Sequence, residues 1–376
     1  MAKDENRIIR DLTVGSVPGT LIRFALPLFL SGLLQMVYNM VDMVVVGRFV
    51  GTHGLSAVSI GGEVLQLITF VAMGFSNAGQ ILISRYVGEE DYERVGHMVG
   101  TLFTLLEGLA VALTLVMLFA YRGIIQWLNT PDEIFEYTRQ YSLTCVIGIV
   151  FIYGYNMVSA VLRGMGDSRH PFMFIAIASV VNLVLDVLFV GPLGMGPLGA
   201  ALATVIGQAV SFLFALRLLY RNRADIYFDF HPRSFRIHGD VIRPLMSLGI
   251  PMVIQSAAVT FSMLFVNSYV NTYGATAIAV TGVARKLEGM IGVVSQAISS
   301  AGGAMVAQSL GARKLERVPK VVGSALWIVA IPTSLFALVT ALSTEWLFGL
   351  VSDDQAMLSM AVTYVPVAMV QYLGCV

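Results

Sequence analysis

Two carboxylates stand inside segments that are otherwise apolar. Asp42 lies in Gln35-Met-Val-Tyr38-Asn39-Met-Val-Asp42-Met-Val-Val-Val-Gly47, and Asp186 in Val181-Asn182-Leu-Val-Leu-Asp186-Val-Leu-Phe189. A charged side chain in hydrocarbon costs about 2.5–3.5 kcal/mol or more, so it occurs with a partner or facing a water-filled cavity. Asn182 precedes Asp186 by four residues and shares its helix face, and Thr204 falls in the next apolar segment. Two carboxylates, an amide oxygen and a hydroxyl form an oxygen-rich set that suits a hard cation such as Na⁺ or, with one carboxylate protonated, carries H⁺. Packing roles are also open to each member. Asn182 and Thr204 can hydrogen-bond neighbouring helices, Asp42 can pair with Arg48 near a surface, and Asp186 precedes Gly191-Pro192 at a segment end. Arg285, Lys286 and Glu288 put three more charges in a single apolar segment. Arg285 and Glu288, at i, i+3 spacing, form an internal ion pair on the plainer reading and a charged gate on the sharper one.

The elements that must position these groups are membrane-spanning helices. Of the 376 residues, 57% are hydrophobic and 12% charged, against about 25% charged in soluble domains, and the mean hydropathy is +0.79. Ten apolar segments, at roughly 24–46, 55–83, 97–120, 134–160, 172–194, 199–218, 245–271, 277–309, 321–342 and 356–376, each approach or exceed the ~20 residues that span a bilayer. Lys3, Arg7, Arg10 and Arg23 precede the first, and Arg85, Arg94, Arg163, Arg169, Arg221, Arg313 and Arg317 fall on the same side of that count. Only Arg48 and Arg122 fall in the opposite loops, so the N-terminus is expected in the cytoplasm. At about 1.5 Å per residue, Asp42 lies roughly 28 Å along its helix from Arg23, and Asp186 about 25 Å from Arg169. The two carboxylates are therefore expected at matching depth.

Several function classes are excluded. Zero formal net charge and the lack of a basic cluster interleaved with aromatics argue against a nucleic-acid partner. Gly194-Met-Gly196-Pro-Leu-Gly199 fits a dinucleotide fingerprint in letters only, since it follows a membrane-length segment and no βαβ unit is available. There is no Gly-x4-Gly-Lys loop for ATP, and the five histidines lack metal-ligand spacing, so neither ATP hydrolysis nor a zinc-dependent enzyme is indicated. Cys145 and Cys375 both sit in apolar runs, which makes a disulfide unexpected.

An internal repeat organises the chain. Ile83-Ser-Arg-Tyr-Val-Gly88-Glu-Glu-Asp-Tyr-Glu93-Arg94-Val95 aligns with Val306-Ala-Gln-Ser-Leu-Gly311-Ala-Arg-Lys-Leu-Glu316-Arg317-Val318, and Leu26-Pro27 matches Ile250-Pro251 one position further along. The copies are parallel, which makes two lobes about an axis along the membrane normal with a cavity between them. The expected fold is all-α: a polytopic membrane protein of two parallel six-helix repeats, with residues 1–219 as the N-terminal lobe, 220–243 as a cytoplasmic linker and 244–376 as the C-terminal lobe. Val376 corresponds to a position inside the fourth helix of the first copy. The second repeat is thus incomplete, and a twelve-helix parent is expected. Pro27, Pro251 and Pro366 offer bending points.

Asn39-Met-Val-Asp42-Met-Val-Val-Val-Gly47, Gly54-Leu-Ser-Ala-Val58, Leu162-Arg163-Gly164-Met-Gly166-Asp167-Ser168, Val181–Phe189 and Gly196-Pro-Leu-Gly199-Ala-Ala-Leu-Ala-Thr204 together resemble the multidrug and toxic compound extrusion (MATE) family, in its DinF-like prokaryotic branch. The resemblance implies an antiporter of the inner membrane, not an enzyme, that uses rocker-switch alternating access to export organic cations or drugs. It needs no cofactor beyond a coupling ion, Na⁺ or H⁺. By position, Asp42, Asn182, Asp186 and Thr204 match the family's cation site, with Na⁺ a possible occupant, while Gln35 and Tyr38 match cavity residues. Asn156 is a further cavity candidate. The implied partners are small organic, cationic substrates and membrane lipid. The alternative is a flippase of the same superfamily for a lipid-linked oligosaccharide or a metabolite, which would need a strongly cationic cavity.

Overall fold

The computed structural model describes residues 8–127, 130–273, 275–349 and 358–364. Cys375, Pro366 and most of the tenth expected segment lie outside the described residues, with 358–364 helical. Eleven α-helices follow one another: α1 (Val17–Val50), α2 (Thr52–Gly88), α3 (Tyr92–Trp127), α4 (Asp132–Ile147), α5 (Ile149–Gly164), α6 (Arg169–Val190), α7 (Gly196–Arg221), α8 (Gly239–Asn271), α9 (Ala275–Gly311), α10 (Arg317–Leu342) and the short α11 (Thr344–Gly349). Among the described residues there is no strand. Helix alone satisfies every backbone group within one segment, which hydrocarbon demands. Among the described residues, counting each bent pair as a single span, up to nine units are long and apolar enough to cross a membrane.

The fourth expected segment is not one straight helix. It breaks at Gly148 into α4 and α5, bent by 46°. A Cβ at Gly148 would stand 2.4 Å from Val205 Cγ2 on α7, so α7 occupies the space a side chain would need at the corner. Elsewhere the helices are held by close approach and by hydrogen bonds between them, as expected where lipid removes the hydrophobic drive for helix association. Tyr153 Oη donates to Ile68 O at 2.7 Å, Ser84 Oγ to Gly164 O at 2.9 Å and Ser211 Oγ to Phe174 O at 3.0 Å. Leu102, Leu106, Tyr153, Met157, Leu162 and Phe174 pack into the largest buried cluster.

The Leu162–Ser168 motif is a turn that starts α6. Gly166 takes φ +89°, and the buried Asp167 accepts from the backbone N–H groups of Arg169 and His170 at 3.0 and 3.3 Å, with its second oxygen on the His170 ring. That carboxylate satisfies N–H groups a helix start leaves free. Residues 220–243 lay a short 3₁₀ turn, Pro232–Phe235, against α3. There His97 stacks on His238 with ring centres 3.9 Å apart, and Phe235 meets Phe103 edge-on.

One end of the molecule is strapped shut. Arg10 N–H donates to Met165 O at 2.8 Å, while Gln308 Nε2 donates to Arg10 O at 3.1 Å and Leu12 N–H to Gln308 Oε1 at 2.6 Å. Lys314 Nζ donates to Thr13 Oγ1 at 2.7 Å, and the Arg317 guanidinium to Gly15 O at 2.9 Å. The N-terminal segment therefore ties the α5–α6 turn to the α9–α10 turn. Beside it, a Cβ at Gly88 would stand 2.1 Å from Gln308 O, and a Cβ at Gly311 would stand 2.1 Å from Arg85 O. The repeat pairs Gly88 with Gly311 and Arg85 with Gln308, so the two copies meet here through the same contact made twice.

Both obstructing atoms are backbone, so no side-chain rotation relieves a substitution. Overpacking of this kind costs roughly 1–3 kcal/mol. Gly88→Val is therefore expected to part this end and to raise maleimide labelling of a cysteine placed at the buried Ser309, in a background lacking Cys145 and Cys375, by about ten-fold. Gly108→Val, where a Cβ meets nothing within 4 Å, should leave the labelling rate unchanged.

Candidate functional site

Asp42 is on α1, Asn182 and Asp186 are one turn apart on α6, and Thr204 is on α7. The helices bring the four side chains to one place. Asp186 is wholly buried, and its carboxyl lies in direct interaction range of both Asp42 and Asn182. Asn182 Nδ2 donates to Thr204 Oγ1 at 3.4 Å, and Thr204 Oγ1 donates to Ala200 O, one turn back, at 3.0 Å. No donor of good geometry reaches either oxygen of Asp186, Oδ1 of Asp42 or Oδ1 of Asn182, and all four atoms are buried. A buried acceptor without a donor costs about 1–3 kcal/mol. Four such oxygens belong to Asp186 and to the two side chains, Asp42 and Asn182, that interact with it.

Small residues let these helices come together. At Gly207 of α7 a Cβ would stand 3.0 Å from Ala178 O and 3.3 Å from Asn182 Cβ, so the glycine sets the α6–α7 spacing beside the site. A pocket of about 10 Å³, lined by Tyr38, Ala178, Ser179, Asn182, Thr204, Gly207 and Gln208, gives room for about one water-sized guest. Val45, Val46, Val58, Tyr141, Cys145 and Val190 belong to a separate buried apolar cluster.

A larger cavity of about 530 Å³ opens next to this pocket, among α1, α2, α5, α6, α7 and α9. Gln35, Tyr38 and Asn156 all line it. Gln35 Nε2 donates to Tyr38 Oη at 3.5 Å, and Asn156 Nδ2 to Ile152 O at 2.8 Å. Tyr38, Ala178 and Gln208 line both spaces, and Tyr38 also lies within electrostatic range of Asp42. Along α9 the lining runs from Gly289 to Ser300, about 16 Å at the helical rise. Arg285 and Glu288, half-buried one turn apart on α9, lie just beyond Gly289 rather than in the cavity wall. The Lys286 side chain lies outside the described residues.

Three groups gain importance that the sequence did not give them. Tyr141 of α4 is buried within electrostatic range of both Asp42 and Asp186, seated where Gly61 has no side chain; a Cβ there would stand 2.3 Å from its ring. Glu107 of α3 has both carboxyl oxygens buried without a donor, facing Gly154, whose Cβ would stand 2.6 Å from Glu107 Oε1. Arg163 reaches the cavity from the last turn of α5. A carboxylate deep in an apolar run is the one signal the sequence offers among the three, and only Glu107 carries it.

A helical bundle crossing the membrane many times around a central cavity, with a buried acid pair at its side, is the architecture of a membrane transport protein. A family model described as MatE matches residues 27–188 and 251–376, and the chain belongs to that family. The probable multidrug resistance protein YpnP of Bacillus subtilis is 29% identical over 308 residues, which cover 82% of this chain and 68% of the relative. YoeA of the same organism, also described as a probable multidrug resistance protein, is 28% identical over 355 residues, or 93% of this chain and 77% of the relative. Among solved structures, the outward-facing conformation of a multidrug resistance MATE family transporter superposes with a TM-score of 0.90 at 24% identity, covering 99% of this chain and 82% of that one. A transporter of the MOP superfamily from Pyrococcus furiosus gives 0.88 at 24% identity, covering 98% and 82%.

Replacing one acid by its amide supplies the missing donor without changing shape. Asp186→Asn is expected to stabilise the detergent-solubilised protein by about 1–3 kcal/mol, seen as a Tm raised by a few degrees at pH 8. The gain should shrink on acidification, where a carboxylic acid provides its own donor, and a Tm unchanged at both pH values would show that the two carboxyls do not oppose one another.

Proposed function

We propose that the chain exports small organic compounds across the cytoplasmic membrane of a prokaryote in exchange for Na⁺ or H⁺. The observation that carries this reading is the shared wall: Tyr38, Ala178 and Gln208 belong both to the cavity and to the pocket beside Asn182 and Thr204. Tyr38 lies within electrostatic range of Asp42, and Asn182 interacts with Asp186, so an event at the carboxyl pair is felt at the cavity surface. When Asp42 and Asp186 are both ionised, their repulsion and the orphaned oxygens favour any rearrangement of α1 and α6 that separates them. A proton or Na⁺ on the Asp42, Asn182, Asp186 and Thr204 oxygens removes that drive and draws α1 towards α6, which reshapes the wall at Tyr38 and expels the occupant. Exchange requires ion and substrate to bind the two arrangements with different affinity, since equal affinity shifts nothing.

The halves that rock are residues 1–219 and 244–376 about the 220–243 linker, with the N-terminus in the cytoplasm and the strapped end facing it. Pro27 in α1 and Pro251 in α8 each remove one backbone hydrogen bond and provide the flexing points. A cavity of this volume suits a drug-sized compound, and Tyr38 and Tyr155 offer ring faces to an aromatic or cationic body. A lipid-linked pyrophosphate would need several cations, and among the described residues the lining holds one, Arg163.

The test is efflux of ethidium from vesicles carrying the full-length protein under separately imposed Na⁺ and H⁺ gradients. One gradient should drive efflux, and Asp42→Asn or Asp186→Asn should slow it about ten-fold or more, because an amide has no charge for the ion to neutralise. Efflux indifferent to both substitutions would remove the carboxyl pair from the coupling step, and efflux under neither gradient would remove the exchange mechanism.

A further inference from the structure

The floor of the large cavity is built around a lone cation. Arg163, one residue from the end of α5, lines it, and among the described residues no carboxylate pairs with its guanidinium. Its Nε donates to Gln80 Oε1 at 2.7 Å, and Gln80 Nε2 in turn donates to Ser300 O and Ser300 Oγ at 3.0 and 3.1 Å. A guanidinium carries five N–H donors in a planar fork. The Gln80 bond uses one and holds the plane in place from behind. The terminal nitrogens, on a side chain that lines the cavity, have no protein acceptor among the described residues.

Among the described residues every other polar side chain in the lining is neutral, Gln35, Asn77, Asn156, Gln208 and Gln296 supplying amides. A fixed cation in a low-dielectric chamber, with its fork free, presents the donor geometry that carboxylate and phosphate oxygens accept in pairs. Tyr155, about two turns earlier on α5, belongs to the same lining, with its hydroxyl donating to Pro171 O at 3.3 Å. We propose that Arg163 is an anion subsite, and that among the compounds taken into the cavity it holds the carboxylate or phosphate group of organic acids and zwitterions. The proposal rests on the reading of this cavity as the substrate chamber. The amide-rich walls fit a soluble compound that makes hydrogen bonds along its length, rather than the acyl chains of a lipid.

The test uses a matched pair of fluorescent coumarins, one bearing a carboxylate and the other the corresponding primary amide, titrated by anisotropy into the purified full-length protein in detergent. The acid should bind about ten-fold more tightly than the amide. Arg163→Gln should abolish that preference by weakening the acid about ten-fold more than the amide, and Arg163→Lys, which keeps the charge and loses the fork, should retain part of it. Equal affinity for the two probes in the wild type, or no binding of either, overturns the proposal, as does a parallel loss of both probes in both variants. Displacement of the acid by phosphatidylglycerol overturns the assignment to a soluble compound. Because binding is read without any gradient, a preference for the acid stands even if vesicles export nothing, and efflux of the amide probe without such a preference upholds export while removing the subsite.

Discussion

Two carboxyl groups facing each other in an apolar interior set the terms for the rest of this structure. Water would hydrate them freely, but a bundle in hydrocarbon must either pair them, neutralise them or leave their oxygens orphaned. Here Asp42 and Asp186 come from helices far apart in sequence and meet where Asn182, Thr204 and Tyr141 supply the nearby polar atoms. The arrangement demands tight packing around it, which the glycine at position 207 allows by letting α7 lie almost on the α6 backbone. It also sets Tyr38, within electrostatic range of Asp42, in the wall that the small pocket shares with the cavity.

The cavity therefore has two chemically different ends. At Tyr38 it comes within electrostatic range of Asp42; at its floor it borders the Arg163–Gln80–Ser300 chain of hydrogen bonds, which also links α5, α2 and α9. The floor lies close to the strapped end, where the glycine pair lets two helix ends touch through their backbones. Closure at that end and the polar chain above it are thus neighbours, and a helix movement that parts the glycines strains the same bonds that hold the guanidinium.

Much of the fold was legible because the membrane makes sequence unusually explicit. Nine of the expected spans appear as helices or bent helix pairs among the described residues, since length and hydropathy alone decide whether a segment can cross. Asp42 and Asp186 announced themselves for the same reason: a charge in hydrocarbon is costly wherever its helix packs. Tyr141 gave no such signal. Its seat depends on a missing side chain at Gly61, a pairing of residues eighty apart that only the packed structure reveals. Arg163 was hidden by a true regularity, because a basic residue at the end of a span looks like any other orienting charge. The corner at Gly148 was hidden too, as one glycine in an apolar run bends a helix only if a neighbour such as Val205 claims the space.

The N-terminal strap has a consequence for biogenesis. Its partners, Gln308, Lys314 and Arg317, lie about three hundred residues downstream of Leu12 and Thr13. At roughly 5–20 residues per second, the first segment leaves the ribosome about 15–60 s before the turn it fastens to exists. During that interval the early helices must be held by their own contacts, and the segment itself stays available to the insertion machinery. Locking of this end is thus a late event in assembly, carried out by the earliest part of the chain to be made.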